Sequence, residues 1–145
     1  MRKRIGITLG DPAGIGPEII RSALASGKLP EADYRLLGKS EGHSLGQPTP
    51  DSARDAQAGL EESARLAIAH EIDAVVTGPI HKSRMYAIGF EFPGQTEFFA
   101  ARCGVENFAM SELASPGPLV AAKASTSPNE MPPVATARAS ICGAR

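Results

Sequence analysis

Apolar residues in this chain come in short runs punctuated by glycine and proline, and their spacing alternates between a strand-like and a helical period. Ile5 to Leu9 is a brief apolar run with β-branched members, bounded by glycine, and predicts a buried strand. Pro17 suits the first turn of a following helix, where a missing N–H costs nothing, and Glu18 complements the positive end of that helix. Ile19, Ile20, Ala23 and Leu24 give the helix one apolar face, and Gly27 is its predicted stop. Tyr34 to Leu37 predicts a second strand ending at Gly38.

Lys39 to Asp51 is polar and rich in Gly, Pro and Ser, which predicts a loop. Ser52 and Asp55 have the spacing of a capping box, and Ala56, Leu60, Ala64, Ala67 and Ile68 then recur at helical intervals. Ile72 to Thr77 predicts a third buried strand running into Gly78 and Pro79. A β-branched core of this kind beside two helices predicts an α/β fold with a mostly parallel sheet. Two further helices are expected, over Lys82 to Ala87 and from Thr96 to about Arg102. The 35 residues from Ser111 to Arg145 are of another kind: 5 of the 12 prolines and 8 alanines fall there, with sparse large aliphatic residues at neither period. Such a stretch buries too little apolar surface to offset its ordering entropy, so little regular structure is expected in it.

Composition narrows the partners. At 145 residues the prior is one domain, and a formal charge of −1 offers neither a basic field for nucleic acid nor a polybasic membrane anchor. The expected partner is a small molecule or another copy of the chain. Two cysteines, Cys103 and Cys142, make no disulfide framework, and no apolar run resembles a signal peptide or a membrane span, so a cytoplasmic location is expected.

Three stretches can carry chemistry. In ITLGDPAGIGPEI, glycines at 10, 14 and 16 join a strand to a helix. The dinucleotide fingerprint needs a third glycine where Ile19 stands, and this loop lacks the Gly-Lys-Ser/Thr of an ATP loop. Two readings stay open: a ligand-facing turn beyond a strand end with Asp11 on a polar ligand, or a tight turn that Asp11 merely holds. In DAVVTGPIHK, a strand end delivers Thr77, His81 and Lys82. If that strand lies beside the first, Lys82 shares Asp11's crevice and can bind phosphate as a point charge, although lysines after strands are also common surface residues. In FPGQTEFFAAR, a Pro93-Gly94 turn presents Gln95, Thr96 and Glu97 ahead of Phe98 and Phe99. Thr96 reads equally as a helix N-cap and the phenylalanines as core. The histidines His43, His70 and His81 have no metal-ligand spacing.

Together and in this order, the three stretches resemble the 4-hydroxythreonine-4-phosphate dehydrogenase family of vitamin B6 biosynthesis, over about Ile5 to Met110. The resemblance implies a partial isocitrate/isopropylmalate-dehydrogenase-like fold, a homodimer, and an NAD-dependent, metal-assisted oxidation and decarboxylation of 4-phosphooxy-threonine in pyridoxal 5'-phosphate biosynthesis. The family's Pro-Gly-His-Thr-Glu motif falls on Pro93, Gly94, Gln95, Thr96 and Glu97, which implies substrate binding by Gln95 and Thr96. Gln95 replaces a histidine, so the position still hydrogen-bonds but cannot titrate near neutrality. Asp11 and Lys82 complete the expected substrate-binding set, and no catalytic or cofactor-binding residue is assigned.

The family's metal-binding histidines lie beyond the position matching Met110, as do further substrate contacts and much of the NAD site. The resemblance therefore implies no metal ligand in this chain. Residues 1–110 are expected to form a truncated dehydrogenase α/β domain and 111–145 a disordered or frameshifted tail, which makes an inactive fragment the expectation. A dehydrogenase of a phosphorylated four-carbon sugar acid, threonate or erythronate 4-phosphate, is the alternative within the enzyme class. A non-catalytic remnant is the alternative outside it.

Overall fold

The computed structural model describes residues 2–106, 108–112 and 120–123. They fall in two units, which divide between Pro93 and Gly94. The first begins with β1 (Arg4–Thr8), α1 (Gly16–Ala25) and β2 (Asp33–Leu37), followed by α2 (Pro50–Ile68), β3 (Ala74–Thr77) and α3 (Lys82–Ala87). Its sheet has the order β2-β1-β3, with β1 parallel to both neighbours. The α/β architecture read from the apolar runs is thus the one observed.

Strand alternation sends the two sets of β1 and β2 side chains to opposite faces. On one face Ile7, Leu9 and Ile20 form a buried cluster, joined by Ile5, Leu24 and Tyr34. That cluster seats α1. On the other, Leu37, Leu66, Ala67 and Ile72 pack together with Val75, seating α2. Leu60 is buried, as the helical spacing predicts; Leu66, outside that predicted face, is buried too, whereas Ile68 at the end of α2 is exposed.

Local chemistry sets the boundaries. α1 ends at Ala25, and Gly27 follows with a φ of +66°, the left-handed conformation that glycine adopts at least cost after a helix. α2 begins earlier than the expected Ser52-Asp55 box: Thr49 is the N-cap, Pro50 opens the helix, and the box is closed between Thr49 and Ser52. Ser52 N–H donates to Thr49 Oγ1 and Thr49 N–H to Ser52 Oγ, each at 3.2 Å. Pro50 explains the shift, because its fixed φ and absent N–H suit the first helical position.

The expected buried strand over Ile72 to Thr77 is corrected in extent and in burial. Pairing covers Ala74–Thr77 alone, at an edge of the three-stranded sheet, and Val76 is 52% exposed. An apolar β-branched run reads as buried, but its burial depends on a further covering layer, which a local pattern cannot report.

The second unit contains α4 (Gln95–Arg102) and the antiparallel pair β4 (Ala109–Glu112) and β5 (Val120–Lys123). Phe98 and Phe99 are buried and meet edge to face at 5.2 Å, with the Arg102 guanidinium 4.9 Å from the Phe98 ring centre. The core reading of both phenylalanines therefore holds. Ser111, Glu112 and Val120–Lys123 are strand residues within the stretch expected to lack regular structure. The remainder of that expectation, over 113–119 and 124–145 with Cys142, lies outside the described residues. Among the described residues no helix is long and apolar enough to cross a membrane.

Candidate functional site

Two turns leave the carboxyl ends of adjacent parallel strands, Leu9 to Ile15 after β1 and Gly78 to His81 after β3. Crevices beyond such strand ends are where open α/β sheets bind ligands. The turns are fastened to each other by main chain. Gly78 N–H donates to the Thr8 carbonyl at 2.8 Å and reaches Thr8 Oγ1 at 3.1 Å, and Asp11 N–H donates to the Pro79 carbonyl at 3.0 Å.

This closeness explains the glycines. A Cβ on Gly10, whose φ is +73°, would lie 2.2 Å from the Pro79 carbonyl oxygen, and one on Gly16 2.1 Å from that of Leu9. A Cβ on Gly78 would lie 2.5 Å from the Thr8 carbonyl oxygen. The space a side chain would need is filled by the protein's own backbone at all three positions. Gly10 and Gly78 let the two turns touch, Gly16 lets the first turn close on its own start, and the filled space leaves no cradle there for a dinucleotide's pyrophosphate, the contact for which glycine loops are otherwise used.

Asp11 occupies the centre of this junction. Its side chain is 7% exposed. Oδ1 accepts from Ala13 N–H at 3.0 Å, an Asx-type turn, and Oδ2 accepts from Arg84 Nη1 at 3.1 Å. The N-cap of α1 is Ile15, so Asp11 closes the turn without capping the helix. Of the two open readings for Asp11, the contacts describe the one in which it holds the loop. Arg84 gave no local signal, although a carboxylate among small apolar residues requires a counter-charge from somewhere.

The β3 turn has the opposite character. Thr77, Pro79, His81, Lys82 and Ser83 are all exposed. Lys82 opens α3 and makes no ion pair with a described residue, while His81 Nδ1 lies 2.9 Å from Ser83 Oγ. The structure thus joins Asp11 to α3 and places Lys82 on the first turn of the same helix. Gln95 and Thr96 belong to the second unit, where they are the first two residues of α4. The N-cap there is Gly94, so the reading of Thr96 as a cap is corrected: the turn made by Pro93 and Gly94 already supplies the extended residue that a cap requires.

No group of three or more His, Cys, Asp or Glu able to hold a metal ion occurs among the described residues. His43 Nε2 lies 2.8 Å from Asp55 Oδ2, and the His70 carbonyl accepts from Arg4. The His43 and His81 rings thus have separate polar neighbours, and the His70 contact is made by its backbone. The Gly-Lys-Ser triplet at Gly38 to Ser40 is also no ATP loop. Asp33 stands where the first loop glycine belongs, and Lys39 lies 3.9 Å from Asp55 Oδ1.

The family model described as pyridoxal phosphate biosynthetic protein PdxA matches residues 18–127, running past Met110 and through both β4 and β5. A 4-hydroxythreonine-4-phosphate dehydrogenase of Synechocystis sp. is 35% identical over 144 residues, covering 74% of this chain and 41% of its own length. A protein of the same name from Zymomonas mobilis subsp. mobilis is 32% identical, covering 71% and 42%. The chain thus spans about two-fifths of the length of these relatives. A crystal structure of a 4-hydroxythreonine-4-phosphate dehydrogenase from Burkholderia phymatum superposes with a TM-score of 0.66 at 22% identity, covering 83% of this chain and 49% of that one. That likeness bears on the fold alone.

Proposed function

The chain belongs to the PdxA family of pyridoxal phosphate biosynthetic proteins, and on that premise we propose that it forms part of a 4-hydroxythreonine-4-phosphate dehydrogenase and binds the phosphorylated end of the substrate. The reaction we assign to the full-length enzyme is the NAD-dependent oxidation of the 3-hydroxyl of 4-phosphooxy-L-threonine, followed by decarboxylation. The observation that carries the reading is the turn after β3, in which Pro79, His81 and Lys82 are exposed while Gly78 is buried against the turn beside it at the carboxyl edge of the sheet. Lys82 is the phosphate ligand in this reading, acting as a compact point charge with three donors. His81 flanks it. Asp11 contributes by holding the turns together.

Gln95 and Thr96 are assigned substrate contacts on the family motif alone. Gln95 donates and accepts hydrogen bonds there without carrying charge. The described residues hold no metal-binding group, and backbone fills the space beside Gly10, Gly16 and Gly78 that a pyrophosphate would need, so no step is assigned to either group on them.

The test is a calorimetric titration of the chain with 4-phosphooxy-L-threonine, with inorganic phosphate as competitor. Saturable binding that phosphate displaces, and that Lys82→Ala weakens about tenfold, is expected for the loss of one charge-assisted contact. Absence of saturable binding, or equal affinity in Lys82→Ala, refutes the reading. D-erythronate 4-phosphate in a parallel titration measures whether the substrate's amino group is recognised.

A further inference from the structure

Resting on that phosphate-binding reading, we infer that Arg84 is the positioning residue of this site: it holds the β3 turn against the β1 turn and so sets where Lys82 stands. The segment that presents Lys82 is tied down on both sides. Ahead of it are the main-chain ties, Gly78 N–H to Thr8 and the Pro79 carbonyl to Asp11 N–H. Behind it, the Arg84 guanidinium returns to Asp11 Oδ2 at 3.1 Å. Ile80, His81, Lys82 and Ser83 lie between the two ties.

The residues involved are unequal in freedom. Asp11 is nearly buried, and its other oxygen is engaged by Ala13 N–H, so it is a fixed acceptor. Arg84 is 37% exposed and reaches inward from the helix. Met85, 1% exposed, anchors α3 in the core one residue later. A six-residue helix held by one buried side chain can still turn about that anchor. The Arg84 contact removes that freedom, and a planar guanidinium directs its N–H groups more rigidly than an ammonium does.

Replacing Arg84 therefore acts on binding only through Lys82, and the two residues must be coupled. In Arg84→Met, amide hydrogen exchange at Asp11 and Ala13 is expected to quicken about tenfold while the β1 amides of Gly6 and Ile7 keep their rates. Affinity for 4-phosphooxy-L-threonine is expected to fall about tenfold. Arg84→Lys should recover most of both losses. Asp11→Asn, which keeps an acceptor for Ala13 N–H but loses the charge, should reproduce Arg84→Met and serves if that variant folds poorly. The decisive comparison is the double variant Lys82→Ala/Arg84→Met, expected to bind within about twofold of Lys82→Ala alone.

Unchanged exchange in both Arg84→Met and Asp11→Asn overturns the inference, as does a double variant in which the two losses simply add. If Lys82→Ala binds as the wild-type chain does, the phosphate-binding reading fails and the placing role falls with it. Exchange in Arg84→Met still separates that result from a failure of the tie itself.

Discussion

The turns after β1 and β3 stand side by side at one edge of the sheet, and both carry residues with chemical potential. The first is consumed internally: Leu9 to Ala13 are buried, the Gly10 and Gly16 positions are filled by neighbouring backbone, and both carboxylate oxygens of Asp11 have protein donors. The second leaves Thr77, Pro79, His81, Lys82 and Ser83 in the open. One turn is a scaffold and the other a display. A glycine-rich loop beside a strand end therefore does not by itself mark the ligand side, and the side we propose for the ligand is the turn with fewer glycines and more exposed side chains.

The comparison breaks most sharply at Gly10. Gly10→Ala places a methyl group against the Pro79 carbonyl and forces a side chain into positive φ, with an expected cost of about 2–5 kcal/mol in urea unfolding. A loss below about 1 kcal/mol would show that the turns are not packed as described. Asp11→Ala comes next. It strips an acceptor from Ala13 N–H and a partner from Arg84, for an expected loss of about 1–3 kcal/mol. In the display turn, Lys82→Ala is expected to change stability by less than about 0.5 kcal/mol.

Acid sharpens the same contrast from the other end of the sheet. Asp73 accepts from the Arg4 backbone N–H at 2.8 Å and from its side chain, which lowers its pKa below the usual carboxylate value. A depressed folded-state pKa contributes stability that is present above the unfolded value and lost as pH falls through the folded one. Asp73→Asn should therefore flatten the acid limb of stability against pH slightly, without changing the amide exchange of the two turns. A change at Asp11 or Ala13 would mean that the sheet ends are coupled.

Much of this was legible beforehand because it is local. Apolar runs bounded by glycine marked β1 and β2, and Lys82 to Ala87 was expected as a helix and is observed as α3. The start of α2 moved because the Ser52-Asp55 spacing outweighed Pro50, the stronger positional signal. Burial was less legible: Val75 and Val76 have the same side chain and share the edge strand β3, yet one packs under α2 and the other, on the opposite face, is exposed. The tie from Arg84 to Asp11 spans 73 positions, and nothing around Arg84 announces it. Both turns could be read from sequence as ligand-facing because residue type shows what a side chain can do, whereas the packing around it decides whether a ligand can reach it.

The division of labour between the two turns is tested most directly by titrating Lys82→Ala with 4-phosphooxy-L-threonine, the urea midpoint being taken on the same sample. An unchanged midpoint with affinity lowered about tenfold is expected, from the loss of one charge-assisted contact. An unchanged affinity, or a midpoint that falls as far as that of Gly10→Ala, would contradict that division.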